Sequence, residues 1–127
     1  MSFTLMDLGA ESYEFRANVW NWKTALEIIK SFDIVGEGKL RQMTYNATGV
    51  TVEKEDAHAI GVKIRDEILP KLAPNKRIFL DLSITDAPDD GTLYHDDDEK
   101  WKNYSASYDW LKDFSEFCLN SKGFQVF

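Results

Sequence analysis

Between Asn18 and Phe32 the apolar residues Val19, Trp22, Ala25, Leu26, Ile29 and Phe32 return every three or four positions. That spacing lines them up on one face of a helix. The stretch constrains the fold more than any other, because a helix with one wide apolar stripe must be covered by other elements. Asn18 is of the type that caps a helix start by accepting a free backbone N–H. Gly36 and Gly38 supply the backbone freedom that ends such an element. Ahead of the helix, Tyr13-Glu14-Phe15-Arg16 alternates as a short strand does.

Two further segments share the helical period. One is expected to start at Thr51, followed by Glu53, Glu55 and Asp56, whose charges suit the positive end of a helix dipole. Its buried stripe would be Ala57, Ile60, Ile64, Ile68 and Leu72. Gly61 lies on the same side; it costs a helix about 1 kcal/mol against Ala but lets another element approach closely. Pro70 should break the regular hydrogen bonding nearby. The other segment runs from about Ser107 to Ser121, with Trp110, Leu111, Phe114, Phe117 and Cys118 on one face and Asp109, Lys112, Asp113 and Glu116 on the other. Gly123 has the position of its C-terminal cap. Between the two, a Pro-Asn turn at 74–75 leads into Arg77-Ile78-Phe79-Leu80-Asp81-Leu82, a short apolar strand. Phe124-Gln125-Val126-Phe127 alternates and should pack on the core. The pattern predicts a mainly α fold, three amphipathic helices with a few short strands, and α+β is the close alternative.

A length of 127 residues suits one domain spanning 1–127. With 43% hydrophobic and 13% aromatic residues the chain can build a core without a staple, and Cys118, its single cysteine, cannot form an internal disulfide. No apolar run approaches the roughly 20 residues of a membrane span. The first seven residues lack the basic-then-apolar pattern of a signal peptide, so a soluble, cytoplasmic protein is expected.

Charge is unevenly placed. Of 22 acids, seven lie between Asp86 and Glu99 (Asp86, Asp89, Asp90, Asp96, Asp97, Asp98 and Glu99) with no Lys or Arg among them, leaving 15 acids to balance 15 bases. The chain therefore reads as a balanced domain carrying one acidic loop insertion at about 86–100. Such a balance disfavours nucleic acid, which is gripped by clustered Lys and Arg.

The densest group of binding-type side chains is Arg16, Asn18, Trp20, Asn21, Trp22 and Lys23, within about two helical turns. Trp20 and Trp22 point about 200° apart on a helix and cannot both face one core. An exposed Trp is a typical interface anchor. The plainer reading is that Trp22 fills the core, Trp20 packs beneath the N-terminal strand, Asn18 caps the helix, and Arg16 and Lys23 are solvated. Tyr45 and Asn46, with Gly49, read either as a simple turn or as the mouth of a polar pocket beside the Trp cluster. Asn46-Ala47-Thr48 matches a glycosylation acceptor, discounted without a secretory signal.

Metal and catalytic patterns are weak. Asp86-Ala87-Pro88-Asp89-Asp90-Gly91, with Asp97 in twelfth place, imitates a calcium loop, but Pro88 occupies a ligand position and the flanking helix is missing. His95 beside Asp96, Asp97 and Asp98 offers a loose set of donors, and His58 stands alone on the second helix. No resident metal or cofactor is expected. Phosphate-loop, dinucleotide, nucleophile-elbow and zinc-protease signatures are absent. Cys118, flanked by Phe114 and Phe117, reads as an inert core thiol.

The run Phe15-Arg16-Ala17-Asn18-Val19-Trp20-Asn21-Trp22-Lys23, then Tyr45-Asn46 with Gly49, then a Phe-rich helix closed by Gly123-Phe124, resembles a family of small bacterial proteins. That family is marked by an Asn-x-Trp-x-Trp-Arg/Lys helix start, a Tyr-Asn-x-Gly turn and a terminal Gly-Phe. The turn here is one residue longer, and residues 86–99 stand as an insertion that inherits nothing. The resemblance implies a bacterial, cytoplasmic origin and no particular reaction.

Two functional expectations follow. The first is a non-enzymatic protein-interaction module of the immunity or inhibitor type, docking on a basic protein, with Asp96, Asp97 and Asp98 steering the encounter. The second is a small-molecule binder or enzyme with an anion pocket near Arg16, Asn18, Trp22, Tyr45 and Asn46.

Overall fold

Ser2–Asp7 alternates in burial: Phe3, Leu5 and Asp7 are buried, whereas Thr4 and Met6 are half-buried. That period of two makes it a strand with one covered face. The structure, a computed structural model, describes residues 2–9, 13–45, 48–74, 76–85 and 104–127. In it Ser2–Asp7 is β1, paired antiparallel with β2 (Glu14–Asn18), so that Thr4 faces Arg16 and Leu5 faces Phe15. Helix α1 (Val19–Phe32) follows without a break. The Asn18 side chain accepts from Asn21 N–H at 2.9 Å, and the Asn21 side chain accepts from Asn18 N–H at 3.1 Å, a reciprocal cap that fixes where strand turns into helix.

Asp33, held at φ 57°, ends α1, rather than Gly36 or Gly38. Gly36 instead precedes a short helix α2 (Glu37–Met43), which contains Gly38. Strand β3 (Val50–Glu53) buries Val50 and Val52, so Thr51 lies inside a strand and the next helix begins three residues later than its sequence suggests. That helix, α3 (Lys54–Lys63), continues through a π-helical stretch Ile64–Ile68 into α4 (Leu69–Leu72). Pro70 does not stop the run. Its missing N–H and its ring, which would strike the carbonyl four residues back, are accommodated where Leu69 N–H reaches five residues back to Ile64 O.

The chain then forms β4 (Arg77–Phe79), shorter than the strand expected to reach Leu82, and β5 (Ile84–Thr85). After residues 86–103, β6 (Ser105–Ser107) leads into α5 (Tyr108–Asn120), whose first turn is capped by Ser107 Oγ accepting from Trp110 N–H at 3.1 Å. The chain closes with β7 (Gly123–Val126).

Two antiparallel sheets result, ordered β2-β1-β7-β3 and β5-β4-β6. Of the described residues 52% are helical and 26% in strands, so the fold is α+β and the expectation of a mainly α fold is overturned. The reason is topological. The strands are short, and β7 takes its place between β1 and β3, which lie at distant points of the chain. A pairing of that kind leaves no local periodic trace beyond a few alternating residues.

The helices cover one face of the larger sheet. Phe3 of β1 meets Trp22 of α1 with ring centroids 6.0 Å apart, Phe15 of β2 meets Phe114 and Phe117 of α5 at 5.7 and 5.6 Å, and Phe124 of β7 meets Phe117 at 5.7 Å. Of these rings all but the half-buried Phe15 are buried, and a fully buried side chain of this size contributes roughly 1.5–3 kcal/mol. Helices α3 and α5 cross at Gly61, where a Cβ would lie 2.8 Å from Leu119 Cγ and 3.0 Å from Ser115 O, and Ser115 Oγ donates to Gly61 O at 2.8 Å. The close approach expected of Gly61 is present.

Gly123 does not cap α5; Ser121 does, and Gly123 opens β7 at φ +91°. A Cβ there would sit 2.8 Å from Val52 O and 2.9 Å from Lys54 N, both backbone atoms that cannot swing aside. Gly123→Ala therefore combines a strained backbone with a clash, and its urea midpoint should report a loss of at least about 2 kcal/mol. A loss under about 0.5 kcal/mol, the scatter of ordinary surface substitutions, would contradict this placement of β7.

Candidate functional site

The first turns of α1 present the side chains that the sequence gathers. Trp22 is 1% exposed, and its indole N–H donates to Met43 O at 2.9 Å. It fills the core and holds the end of α2 against α1, so that N–H is not offered to a ligand. Asn18 is occupied as the helix cap. Arg16 lies on the uncovered face of the larger sheet, 80% exposed and 3.2 Å from Glu14 Oε1, an exposed pair of the kind that contributes 0–1 kcal/mol. These placements match the plainer reading of the cluster.

Trp20 departs from it. Half-buried, it packs against Tyr104 with centroids 5.2 Å apart, not beneath the N-terminal strand, and Lys23 Nζ stands 4.9 Å from the same tyrosine ring. Tyr104 is the first described residue after the acidic stretch. Nothing in the sequence marked it as a neighbour of α1, since the approach is made by β6, which packs on α1.

Beside this stack a cleft of about 460 Å³ opens between α1 and the turn that follows α2. Phe3, Val19, Trp22 and Leu26 form its floor; Lys23, Thr44 and Tyr45 form its rim. Tyr45 is 64% exposed. The structure thus brings Trp22, Lys23 and Tyr45 together, as the sequence grouping suggested. Arg16 and Asn18 do not line the cleft, and Asn46 lies outside the described residues. Sequence reasoning placed Val19 and Leu26 in the core stripe of α1 and missed that the stripe runs out of the core into this cleft. Phe3 carried no signal, because β1 had not been read as a strand.

Elsewhere the chemistry is quiet. Among the described residues no three of His, Cys, Asp and Glu gather where they could hold a metal ion. His58 is exposed on α3. The calcium-like stretch from Asp86 to Asp97, His95 and the acids Asp96, Asp97 and Asp98 all lie outside the described residues. Among the described helices none is long and apolar enough to cross a membrane. Comparison with protein-family models, with curated proteins and with solved structures finds no match for this chain.

Asp7 is a buried carboxylate with a structural task. Its Oδ1 accepts from Lys122 N–H at 2.7 Å and its Oδ2 from Gly9 N–H at 3.0 Å, tying the end of β1 to the approach of β7. Cys118 is fully buried on α5, and loss of solvation pushes its thiol pKa far above the ordinary range. The thiolate is the reactive form. The native protein should therefore react with an aromatic disulfide reagent at pH 8 only as fast as α5 opens, while the urea-unfolded chain reacts at once. Because the folded state holds this proton more tightly, stability should also fall as pH rises past about 8.5, where the unfolded thiol ionises. Immediate stoichiometric labelling of folded protein would refute the burial.

Proposed function

We propose that this chain is a non-enzymatic protein-interaction module, of the immunity or inhibitor kind, for a basic protein partner. One observation carries the reading: the seven acids between Asp86 and Glu99, with no base among them, account for the whole net charge of -7. The strands on either side of that stretch, β5 and β6, both pair with β4. Thr85 lies opposite Arg77 and Ser105 opposite Phe79, so the two flanking residues are two strand spacings apart across β4 and two residues apart along it, roughly 12 Å in all. Seven acids within fourteen residues of chain make a concentrated source of negative charge. Such a field accelerates encounter with an oppositely charged protein.

The half-buried Trp20, stacked on Tyr104 at the exit of the acidic stretch, supplies the aromatic surface from which binding energy at an interface is mostly drawn. On this reading the acids set the rate of arrival and the neighbouring aromatic surface sets the lifetime of the complex. The resemblance to small bacterial proteins would place this in a bacterial cytoplasm.

The test begins with capture of partners by the tagged chain from its native cells at low and high salt, followed by association kinetics with the purified partner. Replacing Asp96, Asp97 and Asp98 together by Asn should slow association at low salt by roughly tenfold and leave dissociation nearly unchanged. A partner bound equally fast by the triple variant and indifferent to salt would overturn the proposal, as would the absence of any stoichiometric partner.

A further inference from the structure

The cleft beside α1 has a composition more specific than a stretch of uncovered core. Its floor is made of Phe3, Val19, Trp22 and Leu26, and the one polar group among their side chains, the Trp22 indole N–H, already donates to Met43 O. An occupant therefore finds no hydrogen-bonding partner among the floor side chains and must present an apolar body. On the rim the Thr44 hydroxyl donates to Arg41 O at 2.6 Å. Among the described residues of the lining Lys23 is the only charged side chain, and no carboxylate accompanies it. Its ammonium is held at the rim by the Tyr104 ring, 4.9 Å away, a contact that restrains the long side chain without neutralising it. Across the opening stands Tyr45, 64% exposed.

A volume of about 460 Å³ falls within the range of small-molecule sites. Among the described lining residues, an apolar floor and one positive charge define the complement: a molecule with an apolar tail and a single anionic head. We infer that the cleft is a binding site for apolar monocarboxylates, with Lys23 pairing the carboxylate and the tail lying on Phe3, Val19, Trp22 and Leu26. A basic peptide is disfavoured here because it would set its own charge against Lys23. The inference uses no residue between Asp86 and Glu99 and stands apart from the proposed protein partner.

Octanoate, 1-octanol and octylamine share one tail and differ in head group, so they are the probes. Each is titrated into the intact protein below its aggregation concentration, with tryptophan fluorescence reporting from Trp22 and calorimetry giving the affinity. Octanoate should saturate and bind more tightly than the alcohol or the amine. Lys23→Met should weaken octanoate by roughly tenfold, the worth of one charge-assisted contact at a partly exposed site, while Lys23→Arg keeps most of the affinity. Lys23→Glu should reverse the order in favour of octylamine. Lys23 is exposed, so these variants should keep the wild-type melting temperature, which shows that any loss is local. Equal binding of octanoate and octylamine, unchanged octanoate affinity in Lys23→Met, or no saturation of the wild-type protein would each overturn the assignment.

Discussion

The last strand of the chain is an inner strand of the larger sheet, and the rest of the structure depends on that insertion. β7 lies between β1 and β3, with Val126 opposite both Leu5 and Val50 and Phe124 opposite both Asp7 and Val52. Phe124 and Val126 are fully buried, so removing β7 would open two ladders and strip the sheet from the helices together. Two devices secure it. Gly123 provides the positive φ that turns the chain out of α5 and lets its backbone pass against Val52 and Lys54. The Asp7 carboxylate catches Lys122 N–H just before the strand begins. A fold whose first and last strands must meet carries a large loop-closure cost before any of its sheet forms, so it should fold slowly for its size.

With the sheet in place, α1 becomes the element through which the two halves communicate. Its buried side meets β1 through Trp22 and Phe3, and its first turn meets Tyr104 through Trp20. Trp22 also ties down the end of α2 by its bond to Met43 O. That last contact shapes the cleft, because Thr44 and Tyr45 follow Met43 directly. One indole thus serves the core with its rings, the turn with its N–H, and the cleft floor with what remains.

How much of this was legible in the sequence depended on the range of the contacts. α1, with its Asn18 cap and apolar stripe, is encoded within fifteen residues and was read nearly to the residue. α5 and the close crossing at Gly61 were read for the same reason. β1 was missed, although Phe3, Leu5 and Asp7 alternate, because three inward residues at a chain end look the same whether or not a partner strand exists. β3 was absorbed into the helix after it, since Thr51 and the acids near it imitate a helix start and only pairing with β7 makes the segment extended. Glycines misled in both directions: Gly36 and Gly38 belong to the next helix, while Asp33 performs the left-handed turn assigned to them. At the site, Trp22, Lys23 and Tyr45 were grouped by proximity in sequence and do share a cleft. Arg16 was grouped with them by the same rule, but the strand period sends its side chain to the opposite face of the sheet.

The two proposed activities use different residues and should answer salt to different degrees. The carboxylate reading rests on a contact at Lys23, whose ammonium stands 4.9 Å from the Tyr104 ring, whereas the protein-partner reading rests on seven acids close together in sequence. At about 0.01 M ionic strength the screening length is roughly 30 Å, and attraction by those acids would reach a basic protein well before contact. At physiological ionic strength it falls to about 8 Å, and most of that reach would be lost. Salt would therefore separate the two: association with a basic partner would slow as ionic strength rises, whereas a carboxylate at contact distance from Lys23 would lose only part of its interaction.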